Sequence, residues 1–62
     1  MKKYLVIELD DVSYNYIVSD LDSLIKEMYE CELDRESFEE VSNKFYSSHK
    51  VFEINGEIKA LN

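Results

Sequence analysis

The chain has 62 residues and a formal charge of −7, with 14 carboxylates against seven lysines and arginines, one histidine, one cysteine, one glycine and no proline. That length makes one domain, residues 1–62, which hides only about 60% of the surface its unfolded chain exposes. Cys31 alone excludes an internal disulfide, and Cys31 with His49 cannot supply the four ligands of a structural zinc site, so neither of the usual staples of small domains is present.

The first residues, Met1-Lys2-Lys3 and then Tyr4-Leu5-Val6-Ile7, begin like a secretory leader. Glu8, Asp10 and Asp11 end the apolar run early, and no small-residue cleavage site follows. No run approaches the roughly 20 apolar residues that cross a bilayer. With a free cysteine suited to a reducing compartment, the expected location is cytoplasmic.

Tyr4 to Asp10 alternates Leu5, Ile7 and Leu9 with Tyr4, Val6 and Glu8, and Val12 to Val18 alternates Val12, Tyr14 and Tyr16 with Ser13, Asn15 and Ile17. Both stretches read as strands. A two-residue turn at Asp10-Asp11 sets Leu9 opposite Val12, Ile7 opposite Tyr14 and Leu5 opposite Tyr16, which brings the apolar faces together. Asp tolerates positive φ less well than Gly or Asn, so a longer loop is the alternative. In this register Tyr4, Val6 and Ile17 share the second face, whose apolar character suits a dimer surface.

Ser19 or Asp20 caps a helix carrying Leu21, Leu24, Ile25 and Met28 at helical spacing. Phe38, Val41 and Phe45 lie on a stripe rotated from it by roughly 115°, at about 100° per residue. One continuous helix cannot bury both stripes, so a break is expected near Glu32-Leu33-Asp34, with Asp34 capping the second helix and Leu33 and Phe38 forming a hydrophobic staple. His49 beside Lys50 ends that helix. Lys50 to Leu61 then holds two short strands around Asn55-Gly56. A three-residue loop ending at Gly56 pairs Phe52 with Ile58 and places glycine where positive φ is wanted. The reading is ββααββ, an α+β domain with two helices on one face of an antiparallel sheet.

Catalytic and cofactor motifs are absent. Asp10-Asp11, Asp20 with Asp22, and Glu39-Glu40 bring acids together, but acid/base chemistry needs a cleft with one carboxyl desolvated, and the pairs read as solvated faces. Asp20-Leu21-Asp22 with Glu27 lacks the glycine-containing loop and ligand rhythm of a calcium hand. Cys31 follows Met28 and Leu24 at helical spacing and is expected to pack at the helix edge, and His49 offers it no oriented base. Gly56 alone cannot form a phosphate-cradling loop. The chain is expected to be no enzyme and to need no cofactor or metal.

Charge carries the remaining signal. Between Glu8 and Glu40 stand twelve acids against Lys26 and Arg35, a local charge of −10, whereas the remaining residues sum to +3. Asp22 with Lys26 and Glu40 with Lys44 are spaced as i, i+4 pairs, while Glu27, Glu30, Glu36 and Glu39 have no evident counter-charge. Helical acids about 5–6 Å apart approach the spacing of successive phosphates. Five tyrosines add amphipathic contact groups, of which Tyr29 and Tyr46 are candidates for a partner surface.

The run Glu27-Met28-Tyr29-Glu30-Cys31-Glu32-Leu33-Asp34-Arg35-Glu36 followed by Glu39-Glu40, in one tiny domain, resembles the small acidic proteins that bacteriophages make to inhibit host factors, including DNA-mimic inhibitors. The likeness is one of composition over the whole chain, and Lys26, Arg35 and Lys44 depart from it by interrupting the negative field. It implies a protein that binds and inhibits a basic, nucleic-acid-binding host protein through Glu27, Glu30, Glu36, Glu39 and Glu40, with Tyr29 and Tyr46 as further contacts. Such a protein avoids nucleic acid and anionic membranes itself. Self-association is the remaining way to stabilise so small a core, so a homodimer is expected. The competing reading is an antitoxin or regulatory adaptor that holds its partner by hydrophobic and tyrosine contacts.

Overall fold

Because the first strand carries apolar groups on both its faces, its alternation alone does not say which face meets the helices. The computed structural model, which describes residues 2–62, resolves this. Strands β1 (Lys3–Glu8) and β2 (Asn15–Val18) precede helix α1 (Leu21–Met28), a 3-10 turn (Glu32–Asp34), helix α2 (Phe38–Ser48) and strands β3 (His49–Ile54) and β4 (Ile58–Ala60). The result is an α+β domain whose four-stranded antiparallel sheet runs β2-β1-β3-β4. Met1 lies outside the described residues.

The core is formed by Val6 and Val51 from the central strands with Leu21 and Ile25 of α1 and Val41 and Phe45 of α2. Tyr4, Tyr16 and Val18 pack against it, and Leu5, Ile7 and Ile17 do not. The expected face is therefore inverted: Tyr4 and Val6 look toward the helices, and only Ile17 of the proposed dimer set remains on the outer side. A one-residue register difference produces the inversion. β2 pairs Tyr16 with Val6 and Ile17 with Leu5, not Tyr16 with Leu5. The cause is the longer loop. Tyr14 N–H donates to the Asp11 carbonyl at 2.9 Å, while the Asp11 carboxylate accepts from Ser13 N–H at 3.2 Å and from the Ser13 hydroxyl, so the turn closes beyond Asp10-Asp11.

Asp20 caps α1, accepting from Ser23 N–H at 3.1 Å. Its outermost expected core residue, Met28, is instead exposed, because the helix ends there and the chain turns at Tyr29. The anticipated break is present as the 3-10 turn, but Asp34 does not cap α2. Ser37 does, in a capping box: its hydroxyl accepts from Glu40 N–H at 3.2 Å and the Glu40 carboxylate accepts from Ser37 N–H at 3.3 Å. With the cap moved, Leu33 and Phe38 lose the staple positions, though both still pack against the core. Cys31, rather than packing at the helix edge, is exposed.

His49 joins α2 directly to β3 and is 5% exposed. Its ring stacks on Phe45 with centroids 4.4 Å apart, and Nδ1 lies 3.0 Å from the Phe45 carbonyl oxygen, which ends the helix by occupying one of its free acceptors. Asn62 closes the same corner: its Oδ1 accepts from Val51 N–H at 2.9 Å and its Nδ2 donates to the His49 carbonyl at 2.7 Å and the Tyr46 carbonyl at 3.1 Å. The last hairpin has a three-residue loop, Asn55 to Glu57, with Gly56 at φ +78. It is displaced by one residue from the expected loop ending at Gly56, so Ile54 faces Ile58 and Phe52 faces Ala60.

Candidate functional site

The acids of residues 20–48 fall on the helical layer, nine carboxylates against Lys26, Arg35 and Lys44. Local folding gives them different tasks. Asp20 is held by its cap: the Ser23 hydroxyl and Ser23 N–H favour the ionised carboxyl and draw its pKa below the usual value. Glu40 is occupied by the capping box. Glu36 is half-buried and takes Lys44 Nζ at 2.7 Å, which in turn raises the Lys44 pKa.

Two expectations are corrected by these contacts. Lys44 pairs with Glu36 and not with Glu40, because the Glu40 carboxylate has turned back to the helix start. Lys26 makes no ion pair with Asp22 among the described residues and lies instead over the Phe38 ring, 5.6 Å from its centroid. Of the five acids picked out by sequence, Glu27, Glu30 and Glu39 remain exposed and without a hydrogen-bond or ion-pair partner among the described residues.

The two tyrosines are both half-buried and both pack against the protein's own core. Tyr29 ends α1, its N–H donating to the Ile25 carbonyl at 3.0 Å while its carbonyl accepts from Leu33 N–H at 2.9 Å. Tyr46 meets Phe45 edge-on, centroids 5.5 Å apart. Burial, then the Asp22 carboxylate and Tyr4, push the Tyr46 phenol above its usual pKa.

Tyr46 also lines an open cleft of about 300 Å³ where the start of α1 meets α2 and the sheet. Tyr4, Asp22 and Glu53 share that cleft, brought together from three distant parts of the chain. No local spacing could have signalled the grouping. Glu53 is already paired with Lys2 at 3.4 Å and Asp20 with Ser23, which leaves Asp22 as the carboxylate there without such a partner. Among the described residues no cluster of histidine, cysteine or carboxylate side chains has the arrangement of a metal site.

The outer face of the sheet has the opposite character. The register places Ile17, Leu5, Phe52 and Ala60 in one row across all four strands, Ile54 and Ile58 beside Lys3 on one side of it, and Ile7 and Asn15 beside Lys50 on the other. None of these strand positions is a carboxylate. The molecule is thus divided into an acidic helical layer and an apolar sheet face that carries only positive charge. No helix is long and apolar enough to cross a membrane. No protein-family model, curated protein or solved structure matches the chain.

Proposed function

We propose that this chain is a non-catalytic interaction module that binds a basic, nucleic-acid-binding protein through its helical layer and blocks that protein's anion-binding surface. The observation that carries the reading is the segregation of charge: Glu27, Glu30 and Glu39 stand exposed and unpaired among the described residues of a layer that holds nine carboxylates, while the sheet face holds none. Unpaired like charges on a small domain destabilise it, and a cationic partner relieves that repulsion. Glu36 and Glu40 contribute less than their spacing implies, because Lys44 neutralises the first and the helix start engages the second.

Support for an adaptor held by tyrosine contacts is weaker, since Tyr29 and Tyr46 are half-consumed by the protein's own core. Isothermal titration against basic nucleic-acid-binding proteins at several salt concentrations tests the proposal. Affinity should fall as salt rises, and the triple variant Glu27→Lys, Glu30→Lys, Glu39→Lys should lose at least tenfold. The reading fails if affinity is indifferent to both salt and charge reversal. Greater sensitivity to Tyr29→Ala or Tyr46→Ala, in variants shown to be folded, would favour the adaptor.

A further inference from the structure

We infer that a second copy of this chain covers the outer face of the sheet, forming a weak two-fold dimer in which two four-stranded sheets pack face to face. The face is free because the molecule is only two layers thick: its Cα extent is 16 Å along the shortest axis, room for one sheet and one layer of helices. Leu5, Ile7, Ile17, Phe52, Ile54 and Ile58 share this face through the strand register, and none of them joins the core or packs against it. Ile17 is 58% exposed and Ile58 74%.

Charge selects the occupant. Two molecules each carrying −7 repel one another, and an approach through the helical layers would set carboxylates against carboxylates. The sheet face is where two copies meet without setting carboxylates against carboxylates, its own charges being Lys3 and Lys50 at opposite ends. Lys50 lies at the end of the face from which the Asp10-Asp11 loop projects, and Lys3 at the end where the Glu57 turn closes β3 to β4. Whether the two-fold runs along the strands or across them, each lysine comes to an end of the interface at which the second copy carries turn carboxylates. Lys50 Nζ lies 5.8 Å from the Phe52 ring centroid and donates to the Asn62 carbonyl of its own chain, so its aliphatic stem extends the apolar surface while its charge is held at the rim.

Area sets the strength. The four strands hold six, four, six and three residues, and at about 3.3 Å per residue and about 4.8 Å between strands they give a face of roughly 300 Å² in projection. Two such faces fall in the class of small, transient interfaces that bury less than about 1,200 Å² in total. Association is therefore expected to be weak, in the upper micromolar range or above, so that chain at a few micromolar is chiefly monomer.

Sedimentation equilibrium across a concentration series from about 1 µM to 1 mM, at low and high salt, tests this. Dimer should form within that range and tighten as salt screens the repulsion between acidic copies, the opposite sign to the salt response of a basic partner on the helical layer. Ile17→Lys and Ile58→Lys together should weaken it at least tenfold with the circular dichroism spectrum retained, whereas Glu27→Lys with Glu39→Lys should not weaken it. Should the sheet variant fail to fold, methyl chemical shifts of the wild type on dilution decide: shifts confined to Leu5, Ile7, Ile17, Ile54 and Ile58 uphold the dimer. A chain monomeric at 1 mM, a dimer indifferent to the isoleucine changes, or dilution shifts on the helical layer would each overturn it, and none of these bears on binding of a basic partner.

Discussion

Phe45 is the largest side chain with no exposed surface, and its removal should bring this domain close to unfolding. Its ring sits between α2 and the sheet, stacked on His49 at 4.4 Å and edge-on to Tyr46 at 5.5 Å, with Val6, Ile25, Val41 and Val51 completing the core. Truncating a buried phenylalanine to alanine costs about 3–5 kcal/mol, since the lost transfer energy is joined by the cavity left behind. At roughly 0.05–0.15 kcal/mol per residue, a chain of this length has a total stability of about 3–9 kcal/mol. Phe45→Ala therefore removes between a third and all of it. At about 4–8 °C per kcal/mol for a domain of this size, the midpoint should drop by at least about 12 °C. Thermal and urea unfolding followed by far-ultraviolet circular dichroism should be run at a few micromolar, where self-association adds little. Phe45→Leu, which refills most of the volume, should lose about 1–1.5 kcal/mol. A Phe45→Ala midpoint within about 4 °C of wild type would refute the single-core account, because no other phenylalanine or tyrosine ring is buried among the described residues to compensate.

Three further outcomes are expected. Ser37→Ala should destabilise by about 1 kcal/mol in urea unfolding, and Asp34→Ala by much less, because the α2 cap rests on Ser37. The Asp20 carboxyl, titrated by carbon-detected NMR, should ionise below its unperturbed value of 3.8 and move back upward in Ser23→Ala. Since the folded pKa is the lower one, the stability this cap contributes is present above the unfolded pKa and fades as pH falls through the folded value, so wild type and Ser23→Ala should converge in acid. Gly56→Ala should cost about 1–2 kcal/mol through backbone strain at φ +78 alone, as a Cβ there meets nothing within 4 Å, and Gly56→Asn should cost less than Gly56→Val.

Locally encoded features were legible along the chain. Asp20 before the Leu21, Leu24, Ile25 stripe marked the first helix, and the rotation between that stripe and the one through Val41 and Phe45 required a break where the 3-10 turn lies. The three-residue length of the last loop followed from its glycine. The α2 start lies at Ser37 and not at Asp34 because, although both residue types cap well, only Ser37 has Glu40 at the third helical position to close a capping box. Among the candidate acids, composition could not separate Glu36 and Glu40 from Glu27, Glu30 and Glu39. Their difference depends on where the Lys44 ammonium and the Ser37 hydroxyl come to rest.

By itself, then, the sequence determined the class of fold, the start of the first helix and a concentrated negative charge, all of which depend on neighbours within a few residues. Which sheet face is inside was a different kind of question. Leu5 and Ile7 are as apolar as Tyr4 and Val6, so alternation allowed either face. The Asp11–Tyr14 turn then fixed a register one residue from the simplest one, and β3 placed Val51 beside Val6 under the helices. Strand side chains alternate with a period of two, so that single step turned β1 over relative to β2. Only the tertiary structure could therefore send Tyr4 and Val6 into the core and leave Leu5, Ile17 and Phe52 outside, opposite the acidic helices.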